Sequence, residues 1–170
     1  MSRSGNPTAP APFTARWRQR LRHVLQRSFF ELGWFLPAWV VLGLSRAAIL
    51  CVPFRRLAPW MGRHQGLHPW VPLLTATQQA RAGQVGRAVR LAARYTPWTS
   101  NCFPQALTAS LLLRLYGVPY ALYFGLAPGA PGESMKAHAW VCSGAINVTG
   151  GASFAQFTVV GCFTSIIAER

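Results

Sequence analysis

Apolar residues run through most of the chain, but their spacing changes about two-thirds of the way along. Residues 1–13, "MSRSGNPTAPAPF", show no period and are built largely of Pro, Ser, Gly and Ala, the composition of a flexible leader. From Thr14 to Leu32 a helical period appears: Trp17, Leu21, Val24, Leu25 and Phe29 recur, with Arg16, Arg18, Arg20, Arg22 and Arg27 between them. This pattern predicts a basic amphipathic helix, which either packs on its own domain or rests on a membrane surface. Residues 32–54, "LGWFLPAWVVLGLSRAAILCVPF", are apolar over a length that spans a bilayer, yet Arg46 lies inside and Pro37 and Pro53 punctuate the stretch. A central arginine costs about 2.5–3.5 kcal/mol on insertion scales, which so apolar a segment could absorb. A buried core helix ending in a basic "PFRRL" turn explains the same residues, and that soluble reading is the one adopted. Residues 59–72 read as a Pro-, Gly- and His-bearing connection, and residues 73–95 as a helix with Gly83 and Gly86 in its middle, ended by Pro97 and Trp98.

Beyond residue 100 the elements change. Residues 101–116, "NCFPQALTASLLLRLY", predict an apolar helix stopped by Gly117. Residues 118–127, "VPYALYFGLA", carry Tyr, Val and Phe with a partial period of two and read as a strand. After the loop 128–134, residues 135–142 and 145–150 read as a hairpin turning at Ser143–Gly144, and residues 154–167 offer one more strand. Helices followed by a helix and successive strands predict an α+β fold rather than a parallel α/β sheet.

Composition narrows the picture. At 170 residues the chain makes about one domain with a real core. Its net charge is +14; aspartate is absent, and the acids are Glu31, Glu133 and Glu169. An excess of this size favours an anionic partner without choosing its kind. Every basic residue except Lys136 is arginine, so a GC-rich genome explains the excess as well as a binding need does. Nucleic acid is the least favoured partner, because no binding motif is present and the arginines are scattered. Cys51, Cys102, Cys142 and Cys162 form no CxxC pair, and His64 and His68 stand in a loop, so no metal site is expected. The polar, Pro-rich start lacks the apolar core of a secretory signal, which predicts a cytoplasmic protein with free thiols. Peripheral membrane contact stays open as an alternative.

Two residues carry candidate chemistry. Ser100 or Asn101 is a good N-cap, which places Cys102 in the first turn of its helix, and Pro104 is tolerated only near a helix start. The helix dipole there favours a thiolate. A cysteine nucleophile also needs a base, and His138 in "AHAWV" could face back across the sheet at the helix start, with Trp140 on the same strand face. Against this stands the ordinary reading: cysteine is among the most buried residue types, and a lone strand histidine is usually structural. Cys51, Cys142 and Cys162 lie in apolar runs and read as core thiols.

The segments "PFRRLAPWMGR" (53–63), "ARYTPWTSNCFPQALTASLLLRLYGVPYALYFGL" (93–126) and "AHAWVCSGAINVTGG" (137–151) add a resemblance. From about Gly33 to Gly151 the chain resembles the leader-peptide-cleaving cysteine proteases of lasso-peptide biosynthesis, which have a transglutaminase-like fold. Three marks occur in order: a Cys-x-Pro-x-Ala-Leu helix start, a Gly-Val-Pro turn into a strand, and Ala-His-Ala-Trp-Val on the next strand. The resemblance implies N-terminal helices (residues 1–32 forming a basic segment) before a transglutaminase/papain-like domain at 33–170. In that domain the nucleophile stands at a helix N-terminus packed on an antiparallel sheet. It implies Cys102 as nucleophile and His138 as general base and acid, in a peptidase that removes the leader of a ribosomally made precursor. No cofactor is implied.

Two departures qualify it. The family usually supplies an aspartate on the strand after the histidine, and this chain has none. With a Ser143–Gly144 turn, Thr149 falls opposite His138 and is the expected orienter; a shifted register brings Asn147 nearer instead. Only some 32 residues precede the resemblance, fewer than a fused leader-binding domain needs. A separate leader-recognition protein is therefore expected to deliver the precursor peptide, and an ATP-using lasso cyclase to close the product. The alternatives are a transglutaminase-like binding or assembly protein with a weakened site, and a small basic membrane-associated protein.

Overall fold

The computed structural model describes residues 29–165 except residue 131, and no side chain is described at 152–154. Most of the basic amphipathic segment, residues 14–28, therefore lies outside the described residues, as do the last residues of the stretch 154–167. The described part is α+β, as the spacing predicts. Helices α1 (Phe29–Gly33), α2 (Phe35–Cys51), α3 (Phe54–Met61), α4 (Ala76–Ala93) and α5 (Cys102–Leu115) precede most of the sheet. The strands are β1 (Arg63–His64), β2 (Ala121–Ala127), β3 (Lys136–Ser143), β4 (Ile146–Thr149) and β5 (Thr158–Thr164), with a 3-10 turn, Gly151–Gln156, before the last. They form one antiparallel sheet in the order β1-β5-β2-β3-β4.

Local chemistry explains the helix ends. Thr75 caps α4 with a full capping box: its Oγ1 accepts from Gln78 N at 3.2 Å while Gln78 Oε1 accepts from Thr75 N at 3.0 Å. Gly117, at φ +61°, turns the chain out of α5, and Val118 N donates back to Leu113 O at 2.9 Å. Val52 is extended ahead of Pro53, which stops α2 at Cys51. The "PFRRL" residues thus open α3 rather than forming the turn that ends the preceding helix. The apolar stretch 32–54 is divided between three helices, and no helix of the described residues is long and apolar enough to cross a membrane. Nor is α2 a fully buried core helix: only Ala38, Leu42 and Ser45 are buried along it.

The helices cover one face of the sheet. Leu42, Val85, Val89, Leu107 and Leu113 meet Leu122, Val141, Val148 and Phe163 in the main core. Ser45 Oγ and Thr108 Oγ1, buried 3.1 Å apart, satisfy each other between α2 and α5. Across the sheet a smaller cluster holds Tyr123, Trp140 and Cys162, with Trp70 and Phe157 packed against it. Tyr123 Oη donates to Trp70 O at 2.8 Å, which ties the 65–72 connection to that face. Phe30 and Glu31, which the sequence reading groups with the N-terminal segment, pack on the domain. Arg87 Nε donates to the nearly buried Glu31 carboxylate at 2.5 Å, and the Arg81 guanidinium lies 4.7 Å from the Phe30 ring and 4.6 Å from that of Tyr116.

Candidate active site

Cys102 is the first residue of α5, half-exposed and a free thiol, with Asn101 as N-cap. The loop leading to it is pinned from several sides. Arg46 Nη1 donates to Thr99 O at 2.6 Å, and Trp39 Nε1 to Tyr95 O at 3.2 Å, so α2 holds both ends of the loop. Trp98 packs on Trp39 at 4.8 Å and lies over Gly43, where a Cβ would come within 3.1 Å of the indole. Gln105 Nε2 donates to Ser100 O at 2.7 Å, closing the first turn of α5 against its own entry. The Asn101 side chain makes no cap hydrogen bond. Cys102 therefore owes its place to this braced loop more than to a capping side chain.

His138 is the third residue of β3, half-buried and directly opposite Gly125. Its ring is stacked between Trp140 (5.8 Å, 22°) and Phe157 (4.8 Å, 28°). Its Nε2 lies 2.9 Å from the Gly150 carbonyl oxygen. A carbonyl only accepts, so the proton is assigned to Nε2 and the neutral ring presents a bare Nδ1. Gly150 has φ +97°, and a Cβ there would lie 2.2 Å from Trp140 Cβ, so only glycine puts its carbonyl at this point.

This geometry corrects two expectations. The β3–β4 hairpin turns at Gly144–Ala145, and a bulge between Val141 and Cys142 shifts the register. Thr149 consequently stands opposite Val141 rather than His138, and its buried Oγ1 has no hydrogen-bond partner among the described residues. Asn147 stands opposite Cys142, and its Nδ2 donates to Gly151 O, steadying the turn that carries the Gly150 carbonyl. Neither side chain bonds the imidazole; a backbone oxygen does, which residue-type reasoning had no means of finding.

The second correction concerns facing. β3 alternates, sending Ala139 and Val141 to the helices and His138, Trp140 and Cys142 to the other side. Cys102 packs against the helix-side cluster. The start of α5 nevertheless lies one register step from His138: Phe103 meets Phe124 at 5.2 Å, and Phe124 pairs with Ala139. Cys102 and His138 are thus in neighbouring rows on opposite faces, and no hydrogen bond joins them among the described residues.

Among the described residues no cluster of three His, Cys, Asp or Glu side chains is suited to a metal ion. His64 lies on β1 with its ring 5.0 Å from that of Phe163, and His68 Nδ1 is 3.3 Å from Gln65 O. Burial pushes the Cys142 thiol up to about 11 and raises Cys162 as well, which makes both poor nucleophiles; Cys51 is exposed on α2.

Comparison with known proteins agrees with this architecture. The family model described as the transglutaminase-like superfamily matches residues 48–162, a span that includes α3 to α5 and the strands bearing His138 and its turn. No curated protein matches, and no solved structure does either.

Proposed function

We propose, since the chain belongs to the transglutaminase-like superfamily, that it is a cysteine peptidase that removes the leader from a ribosomally made lasso-peptide precursor. The superfamily includes cysteine proteases and transferases. The observation that carries the reading is the half-exposed Cys102 thiol at the first turn of a fourteen-residue helix inside the matched span. In this reading Cys102 Sγ attacks the scissile carbonyl carbon, and the oxyanion accepts from the Cys102 backbone N–H at the helix start. The tetrahedral adduct collapses with cleavage of the C–N bond, leaving the leader as a thioester on Cys102. His138, having taken the Cys102 thiol proton on Nδ1 as Sγ attacks, passes it to the departing amine of the core peptide, then takes one from the water that hydrolyses the thioester and returns it to Sγ. The Gly150 carbonyl keeps Nδ1 free for both transfers. Turnover requires the ring to come round the exposed start of β3 to the thiol, a tightening of the kind substrate binding produces.

A separate leader-recognition protein delivers the precursor in this reading, and an ATP-using cyclase closes the released core peptide. One observation favours a second reading, a binding or assembly protein on the same fold: His138 stacks with Trp140 of the cluster across the sheet from the one Cys102 packs against, and no carboxylate among the described residues attends it. Mass spectrometry of the precursor incubated with this protein and those partners separates the two. The expected result is cleavage that both Cys102→Ala and His138→Ala reduce by at least about a thousandfold. Undiminished cleavage by Cys102→Ala sinks the peptidase reading. Loss in Cys102→Ala alone assigns the base to another group.

A further inference from the structure

Helix α2 is apolar on nearly every side, yet the fold buries one side only. Opposite Ala38, Leu42 and Ser45 runs a row of exposed residues: Leu36 (64 % exposed), Val40 (45 %) and Leu44 (63 %), followed by Ala47 and Cys51, with Leu50 (71 %) beside them. Phe29 and Leu32 extend the row into α1. Steps of three or four keep these positions on one side of a helix, and that side bears no charge. At the far end α3 exposes Phe54 and Trp60 with Arg55 and Arg56. A contiguous apolar row of this length on a folded domain marks a contact surface.

We propose that this row lies in the plane of an anionic lipid bilayer, its leucines among the acyl chains and its neighbouring arginines at the headgroups. Charge selects this occupant. The chain carries +14, so a second copy laid on the same row brings its own +14 to the contact, whereas an anionic surface neutralises it. Trp60 and Phe54 beside Arg55 and Arg56 have the composition of a membrane–water boundary, where aromatic rings and snorkelling arginines are stable. The sequence just upstream of the row, with Trp17, Leu21, Val24 and Leu25 among five arginines, repeats the same two ingredients. No described helix can cross a bilayer, so the contact is lateral.

Flotation of the full chain with phosphatidylglycerol-containing vesicles, and with phosphatidylcholine vesicles alone, tests the proposal. It is run on the parent, on Leu36→Glu/Leu44→Glu and on Arg55→Gln/Arg56→Gln, with circular dichroism as the check on folding. The parent is expected to float with the anionic vesicles and not the neutral ones, and the leucine pair to lower the bound fraction about tenfold or more. The arginine pair, wholly on the surface, is expected to weaken binding and flatten its salt dependence. Parent and leucine variant floating alike would overturn the proposal, as would equal binding to neutral vesicles. A parent that stays in solution as a dimer, made monomeric by the leucine pair, would instead assign the row to self-association.

Discussion

Thr149 offers the sharpest separation between what its sequence position suggests and what its surroundings do. The residue is 1 % exposed, and its Oγ1 is buried without a hydrogen-bond partner among the described residues. A hydroxyl left unpaired in the interior costs about 1–3 kcal/mol, because its bond to water is lost and not replaced. Thr149→Val keeps the β-branched shape that a strand favours and replaces the hydroxyl by a methyl that gains about 0.8 kcal/mol on burial. The variant is therefore expected to be more stable by about 2 kcal/mol, the lower end of the combined range. In a domain of this size each kcal/mol corresponds to about 2–4 °C in Tm. Urea denaturation followed by tryptophan fluorescence gives the difference directly, provided the slope m is unchanged. Thr149→Ser, which keeps the hydroxyl and loses the methyl, is the control and is expected to be destabilised. Precursor cleavage by Thr149→Val is expected to match the parent. If the valine variant is less stable by about 1 kcal/mol, or keeps its stability and loses cleavage, the hydroxyl has a partner and the orienting role suggested by its sequence position is restored.

Two further outcomes follow from the same surroundings. Gly150→Ala meets both a positive φ, worth about 1–2 kcal/mol of strain, and an overlap of its Cβ with that of Trp140, 2.2 Å away. It is expected to lose about 3 kcal/mol or more and to displace the carbonyl that holds His138, seen as a loss of cleavage even where the fold survives. In alkali the fold is expected to weaken: burial raises Cys142 from 9.0 to about 11 and also raises Cys162 and Tyr123. Between pH 9.0 and about 11 the unfolded chain releases the Cys142 proton that the folded chain keeps. The unfolded state thus binds fewer protons there and stability falls as pH rises. Unfolding free energies from urea titrations at the two ends of that window check the sign, and Cys142→Ala should flatten the fall.

Much of the fold was legible because local rules and tertiary packing agree. The N-cap before Cys102 and the glycine after Tyr116 bound α5 to within a residue of the expected span. The alternation of "MKAHAWVC" placed β3 to within one residue. What escaped was set by partners distant in sequence or by the backbone alone. The stretch 154–167 reads as one strand from its apolar run, but Gly151–Gln156 winds as a 3-10 turn and puts Phe157 against the His138 ring before β5 begins. A turn one residue later than Ser143–Gly144 and a bulge at Val141/Cys142 together carried Thr149 away from His138, and neither leaves a mark in residue types. The Gly150 carbonyl was hidden for a plainer reason: every residue has one, and only its φ and the crowding by Trp140 single it out.

The facing of His138 follows from a packing constraint rather than from its own chemistry. The period of two correctly grouped His138 with Trp140 but could not tell which side of β3 looks toward the helices. Size decides it. On the helix side β3 presents Ala139 and Val141, small enough for α5 to lie close over the sheet. The indole of Trp140 needs room that α5 does not leave. It finds that room across the strand pair at Gly125, where even a Cβ would come within 2.8 Å of the ring and of Phe157. Tyr123, stacked at 5.5 Å, closes the third side. With Trp140 committed to that pocket, His138 two residues earlier must share its face, and the stacking of Phe157 and the Gly150 carbonyl then fix the ring's tilt and tautomer. The same aromatic packing that orients the imidazole so well also turns it from the thiol. Any chemistry shared by the two residues must therefore proceed around the beginning of β3, where Lys136 and Ala137 are exposed though still paired with Ala127 and Leu126.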